Sequence, residues 1–189
     1  MRNRTTRRLA GLGMGLALLL AGCGSDDGAG VRNVDGTGSA SGTGSASGTA
    51  SGQAAACKPV GDAAASDATI AVELKEWSVL PARADAPAGT ITFEARNTGQ
   101  DAHELVVVRA DNPATLPLAA DGTVDEAKLP NGAFVGEVEA FPAGQTCQGT
   151  FNLPAGRYAL FCNILETEAD GRKENHYANG MRASFETRG

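Results

Sequence analysis

The side chains with the most specific chemistry in this 189-residue chain lie close to its C-terminal end. The stretch from Tyr158 to Met181, YALFCNILETEADGRKENHYANGM, holds Cys162, His176 and Met181. The chain has two histidines, and the other is His103. Met1 and Met14 fall in an N-terminal leader, so Met181 is the one methionine left for a folded domain. A thiolate, two imidazoles and a thioether are the ligand set of a mononuclear type 1 copper site, because soft sulfur with imidazole nitrogen suits both Cu(I) and Cu(II). Taken singly, each residue has a plainer role: a strand histidine is often structural, a methionine is core, a secreted cysteine is in a disulfide. Their joint order is the signal.

Something must bring these residues together, and the pattern from Ala68 onward supplies it. Apolar side chains alternate with polar or small ones at Ile70, Val72 and Leu74, at Ile91, Phe93 and Ala95, and at His103, Leu105 and Val107. The same period recurs at Cys147, Gly149, Phe151 and Leu153, at Tyr158, Leu160 and Cys162, and at Met181, Ala183 and Phe185. Turn signals separate the runs: Pro87-Ala-Gly, Asn97-Thr-Gly, Pro142-Ala-Gly and Pro154-Ala-Gly. Short strands at this spacing, with no long helical period, predict an all-β fold, a Greek-key β-sandwich. His103, Cys162 and Met181 share parity with inward residues, so all three can converge at one end of the sandwich. His176 falls in a connection, where alternation says nothing. The segment Ala110 to Pro130 has three prolines and reads as a loop, with a short helix around Val124 to Lys128.

Three pieces then resemble the cupredoxin, or blue copper, family: Asn97-Thr-Gly-Gln-Asp-Ala-His103, Gly156-Arg-Tyr158-Ala-Leu-Phe-Cys162, and His176-Tyr-Ala-Asn-Gly-Met181. The resemblance covers about residues 68 to 187. It implies that His103 and His176 are equatorial imidazoles, Cys162 the thiolate and Met181 a weak axial ligand to one copper ion. It also implies an electron carrier rather than an enzyme. Thirteen residues separate Cys162 from His176, a longer loop than in short-loop members, and the stretch Glu166 to Glu174 within it is charged. That stretch reads as a solvated insertion; the alternatives are a docking surface or an additional carboxylate ligand. The outer edge of His176 is the expected exit for the electron, and Asn97 and the backbone around Asn163 are expected to restrain the ligands. Tyr158 resembles the tyrosine that closes a corner in Greek-key sandwiches. Trp77, the sole tryptophan, is expected in core or edge packing.

Residues 1–22 read as a secretory signal, with arginines first, the apolar run Leu9 to Leu20, then small residues. Leu20-Ala21-Gly22-Cys23 resembles the lipobox of bacterial lipoproteins, which implies cleavage before Cys23 and a lipid on its sulfur. Residues 23–56 continue as a linker with the tandem repeat GTGSAS-GTGSAS, and residues 57–189 form the copper-binding domain. A Gly/Ser-rich coil of about 33 residues has a reach of roughly 30 Å, enough to hold a domain off a membrane. With Cys23 given to lipid and Cys162 to metal, Cys57 and Cys147 remain as a possible disulfide. A Cys147–Cys162 bridge is the competing pairing, and it would remove the thiolate.

The formal charge is −6. Four of the sixteen Lys and Arg lie in residues 1–22, leaving twelve basic against twenty-two acidic side chains, a net of −10. That excess argues against nucleic acid and anionic lipid and is compatible with a redox protein partner that has a basic docking face. The expectation is a monomer tethered by a lipid anchor on the extracytoplasmic face of a bacterial cell membrane. A copper-trafficking lipoprotein and a metal-free interaction sandwich are the competing classes. Two histidines are too few for the further centres of a multicopper oxidase.

Overall fold

Along residues 68–75 the buried positions are Ile70, Val72 and Leu74, and along 146–153 they are Cys147, Gly149, Phe151 and Leu153. Each run buries one face of a strand. The computed structural model describes residues 55–189; the expectations for residues 1–22, for Cys23 and for nearly all of the linker lie outside them.

One sheet has four strands in the order β2 (Ser78–Pro81), β1 (Ala68–Lys75), β4 (Gly89–Asn97), β7 (Thr146–Leu153), with β1 parallel to β4. The other has five, in the order β3 (Asp85–Pro87), β11 (Arg182–Arg188), β8 (Gly156–Phe161), β5 (His103–Arg109), β6 (Phe134–Phe141). The chain crosses between sheets from β2 to β3, from β3 to β4, from β4 to β5, from β6 to β7 and from β7 to β8, which makes a Greek-key β-sandwich. The core between the layers includes Ile70, Leu74, Phe93, Leu105, Phe141 and Phe185. No helix among the described residues is long and apolar enough to cross a membrane.

Two elements differ from the sequence expectation. In β5, Leu105, Val106, Val107 and Val108 are all buried, so the strand is covered on both faces. The cover on the outer side comes from the Ala110–Pro130 segment, whose Leu116 and Val124 pack with Val106, Val108, Phe161 and Tyr177. The segment is a loop, as expected, and its buried side chains also form a second, smaller core layer. Its expected helix is a single 3-10 turn, Glu126–Lys128, after an earlier one at Pro113–Thr115.

Tyr158 is buried and its hydroxyl donates to the carbonyl of Pro154, 2.6 Å away, closing the corner between β7 and β8. Cys57 and Cys147 form a disulfide with Cα atoms 5.4 Å apart, tying the entry of the domain to β7 across 90 residues of sequence. Cys162 is left as the one free cysteine among the described residues. A bridge closing so long a loop contributes about 4 kcal/mol by the chain-entropy account. The double substitution Cys57→Ala, Cys147→Ala should lower the urea unfolding free energy by up to that amount. An unchanged midpoint would show that the bridge does not constrain the unfolded chain.

Candidate metal centre

His103 opens β5, and the loop before it is built by Asn97. The buried Asn97 amide donates to the carbonyls of Asp101 (2.8 Å) and Phe141 (3.2 Å) and accepts from the N–H of Gly99 (3.0 Å). None of these bonds goes to an imidazole; the side chain fixes the turn that delivers His103. Removing three hydrogen bonds of about 1 kcal/mol each should make Asn97→Ala about 2–3 kcal/mol less stable in urea unfolding of the metal-free protein. An unchanged midpoint would mean the turn holds without its side-chain clamp.

Cys162 follows directly on β8, and its N–H donates to the carbonyl of Met181 (3.1 Å). Met181 in turn donates its N–H to the carbonyl of His176 (3.0 Å), and His176 donates to Ile164 (3.0 Å). These three backbone bonds draw the end of β8, the loop after it and the start of β11 into one ring. His176 begins the short helix α1 (His176–Asn179), whose preceding residue Asn175 caps it by accepting from the N–H of Ala178 (2.8 Å). His176 thus sits on a capped turn rather than in an irregular loop.

The side chains converge. His103 Nδ1 lies 3.2 Å from His176 Nδ1, and Cys162 Sγ lies 3.3 Å from His176 Nδ1. One donor atom from each of the three falls within 4.8 Å of the others, and all three residues are fully buried. Met181 is also fully buried, in the same core cluster as Cys162. Burial pushes the Cys162 thiol up to about 12, the nearby Glu104 charge adds to this, and backbone N–H groups of Glu104 and Ile164 partly offset it. A thiol so placed becomes a thiolate only beside a cation. Burial lowers His176 to about 4, reinforced by the proximity of His103, and burial likewise lowers His103. Both imidazoles are therefore neutral near pH 7, the form that binds metal. The donor set of one thiolate sulfur and two imidazole nitrogens, with a thioether residue adjoining, fits one copper ion.

Around the cluster, Asn163 donates its N–H to Glu104 Oε1 (2.8 Å), while its side chain accepts from Val124 N–H (2.6 Å) and donates to the Val124 carbonyl (3.1 Å). It pins the loop after Cys162 to the outer core layer. Burial raises the Glu104 carboxyl to about 7.

The charged stretch after Cys162 is largely exposed, as expected of a solvated insertion. It forms a β-hairpin, β9 (Leu165–Thr167) with β10 (Lys173–Asn175), and Arg172 bridges Asp170 (2.8 Å) and Glu174 (2.9 Å) across its turn. Glu166 Oε2 lies 3.9 Å from His176 Nε2, the outer ring nitrogen. A carboxylate there stands behind the imidazole and not among the converging donors. The expectation of an exposed His176 edge is overturned: the ring is fully buried beneath Trp77, whose indole meets it edge-on with centroids 5.6 Å apart. Trp77 itself is 36% exposed, at the two-residue turn between β1 and β2, with a left-handed φ of 64°. Sequence reasoning missed this role, because the contact spans almost a hundred residues and leaves no local pattern. It also missed Glu76, beside Trp77, whose Oε1 lies 3.5 Å from His103 Nε2. Burial pushes the Glu76 carboxyl up, but N–H donors from Asp101 and Gln100 outweigh it and hold the group below its usual range.

No family model and no curated protein matches the chain. Among solved structures, it is similar to reduced auracyanin from the photosynthetic bacterium Roseiflexus castenholzii, at 21% identity over 66% of this chain and 99% of that one, with a TM-score of 0.47. It is also similar to auracyanin A, a "blue" copper protein from Chloroflexus aurantiacus (17% identity, 64% and 99% covered, TM-score 0.41). Rusticyanin from Thiobacillus ferrooxidans is a third, at 19% identity, 64% and 77% covered, and a TM-score of 0.38. At these values the likenesses carry no weight for the site, which stands on the chain's own geometry.

Proposed function

We propose that this chain is a membrane-tethered, extracytoplasmic electron carrier of the cupredoxin type. His103, Cys162 and His176 would hold one copper ion, and Met181 would serve as a weak axial ligand. The observation that carries the reading is the convergence of two buried imidazole nitrogens and one buried thiol within 4.8 Å at one end of the sandwich. When bound, the copper ion supplies a one-electron couple.

What the chain contributes is positional. The ring of backbone bonds linking Cys162, Met181, His176 and Ile164 holds the donors in one arrangement, so little rearrangement accompanies a change of charge. Complete burial of all three donors excludes water and favours retention of the ion over hand-off, which supports a carrier above a trafficking protein. Trp77, partly exposed and packed on His176, is the aromatic through which an electron would leave. Acidic side chains near His176, Glu166 and Asp101 among them, suit a basic partner surface. The lipid at Cys23 and the linker of residues 23–56 would let the monomeric domain reorient between membrane-bound partners.

Voltammetry of the copper-loaded chain and of Met181→Leu tests this. The carrier reading expects a reversible one-electron wave in the wild type, moved to higher potential in Met181→Leu. A wave at the same potential in both would remove Met181 from the site, and no reversible wave at all would sink the electron-carrier reading.

A further inference from the structure

The turn between β1 and β2 puts one residue against each histidine: Trp77 on His176, and Glu76 on His103. For Nδ1 of a neutral His103 to serve as a donor atom beside Cys162 and His176, its ring proton must be on Nε2. That nitrogen is buried and has no hydrogen-bond partner within bonding distance. A buried donor left without an acceptor costs about 1–3 kcal/mol, and the Glu76 carboxylate, at 3.5 Å, is the group placed to close on it.

The carboxylate is seated for this purpose by other parts of the chain. Oε1 accepts from the N–H of Gln100 (2.7 Å) and of Asp101 (2.9 Å), in the same loop that delivers His103. A Cβ at Gly99 would lie 2.7 Å from Glu76 Oε2 and closer still to Oε1. Gly99 has no left-handed φ among the backbone angles of the chain, so space for the carboxylate, not backbone freedom, accounts for glycine there.

We infer that Glu76 is a positioning residue for the metal centre: its carboxylate takes the Nε2–H of His103, fixing the imidazole with Nδ1 toward the ion, and its fixed negative charge behind that ligand favours the more highly charged oxidised metal. This rests on the copper reading above. Outer carboxylates that accept from a ligating histidine fix its tautomer and raise its basicity, and their loss costs 10–100-fold in metal affinity.

The test uses the full chain as wild type, Glu76→Gln and Gly99→Ala. Cu(II) and Cu(I) affinities are measured by competition with chelators, and the His103 ring nitrogens are observed by nitrogen-15 NMR without metal. Glu76→Gln keeps an acceptor for the loop N–H groups and removes the charge. It should weaken Cu(II) about tenfold more than Cu(I), which for a one-electron couple is a rise of about 59 mV. Gly99→Ala, which crowds the carboxylate out of its seat without altering its charge, should move the ratio in the same direction. Metal-free wild type should show His103 protonated at Nε2. A merely structural Glu76 would lower the unfolding midpoint and leave the affinity ratio where it was. An unchanged ratio in both variants, or an Nδ1-protonated His103 in the wild type, would overturn the proposal. If the wild type takes up no copper, the electron-carrier reading fails, and the tautomer of His103 alone decides for or against the carboxylate–imidazole pair.

Discussion

Everything at this end of the domain depends on bringing three groups that could ligate a metal, Cys162, His103 and His176, together in full burial. Polar groups in such a place are costly unless something compensates them. The backbone does part of this. Cys162, Met181 and His176 are linked in sequence by N–H to carbonyl bonds, so the strand end, the capped turn and the last strand close as a unit. The remainder is left to a cation between the donors and to the groups behind the two rings. The depressed imidazoles and the raised thiol express the same fact, that this site without a cation holds its groups neutral.

The sandwich serves this arrangement by making its strand ends coincide. β5 begins with His103 and β8 leads into Cys162, and these strands are hydrogen-bonded neighbours in the five-stranded sheet. β11 lies on the other side of β8 and brings Met181 alongside Cys162. Burial on both faces of β5 and at the end of β8 requires the extra layer over Val106, Val108 and Phe161, which the Ala110–Pro130 segment provides. Tyr177, next to His176, is buried in that layer and its hydroxyl donates to the Pro113 carbonyl. The loop bearing the second histidine is thereby anchored to the outer layer as well as to the sandwich.

Much of this was legible in the sequence, for a physical reason. A half-buried strand must alternate, so β1, β4, β7 and β11 announced themselves, and the parity of His103 and Cys162 placed them on the inward face. The corner role of Tyr158 was an expectation from its resemblance to the Greek-key tyrosine, and Cys57–Cys147 was one of two pairings left open, the one the structure shows. Two kinds of feature lie beyond the alternation signal: a hairpin without apolar alternation, and contacts between residues far apart in sequence. The Glu166–Glu174 stretch has no apolar period, and its hairpin is held by backbone pairing and by Arg172. The contacts of Glu76 with Gln100 to His103, and of Trp77 with His176, leave no mark in the local sequence, from which Trp77 is expected only in core or edge packing. Gly99 was recognised as a turn glycine, but the reason for it is a carboxylate more than twenty residues earlier.

The central claim is that the buried Cys162 sulfur is a ligand to copper, and its most direct test is spectroscopic. The full chain and Cys162→Ser would each be given one equivalent of Cu(II), and their visible absorption and EPR spectra compared. The account predicts an intense thiolate-to-copper band with narrow hyperfine splitting in the wild type, and neither feature in the variant. The same ordinary Cu(II) spectrum from both proteins would contradict it.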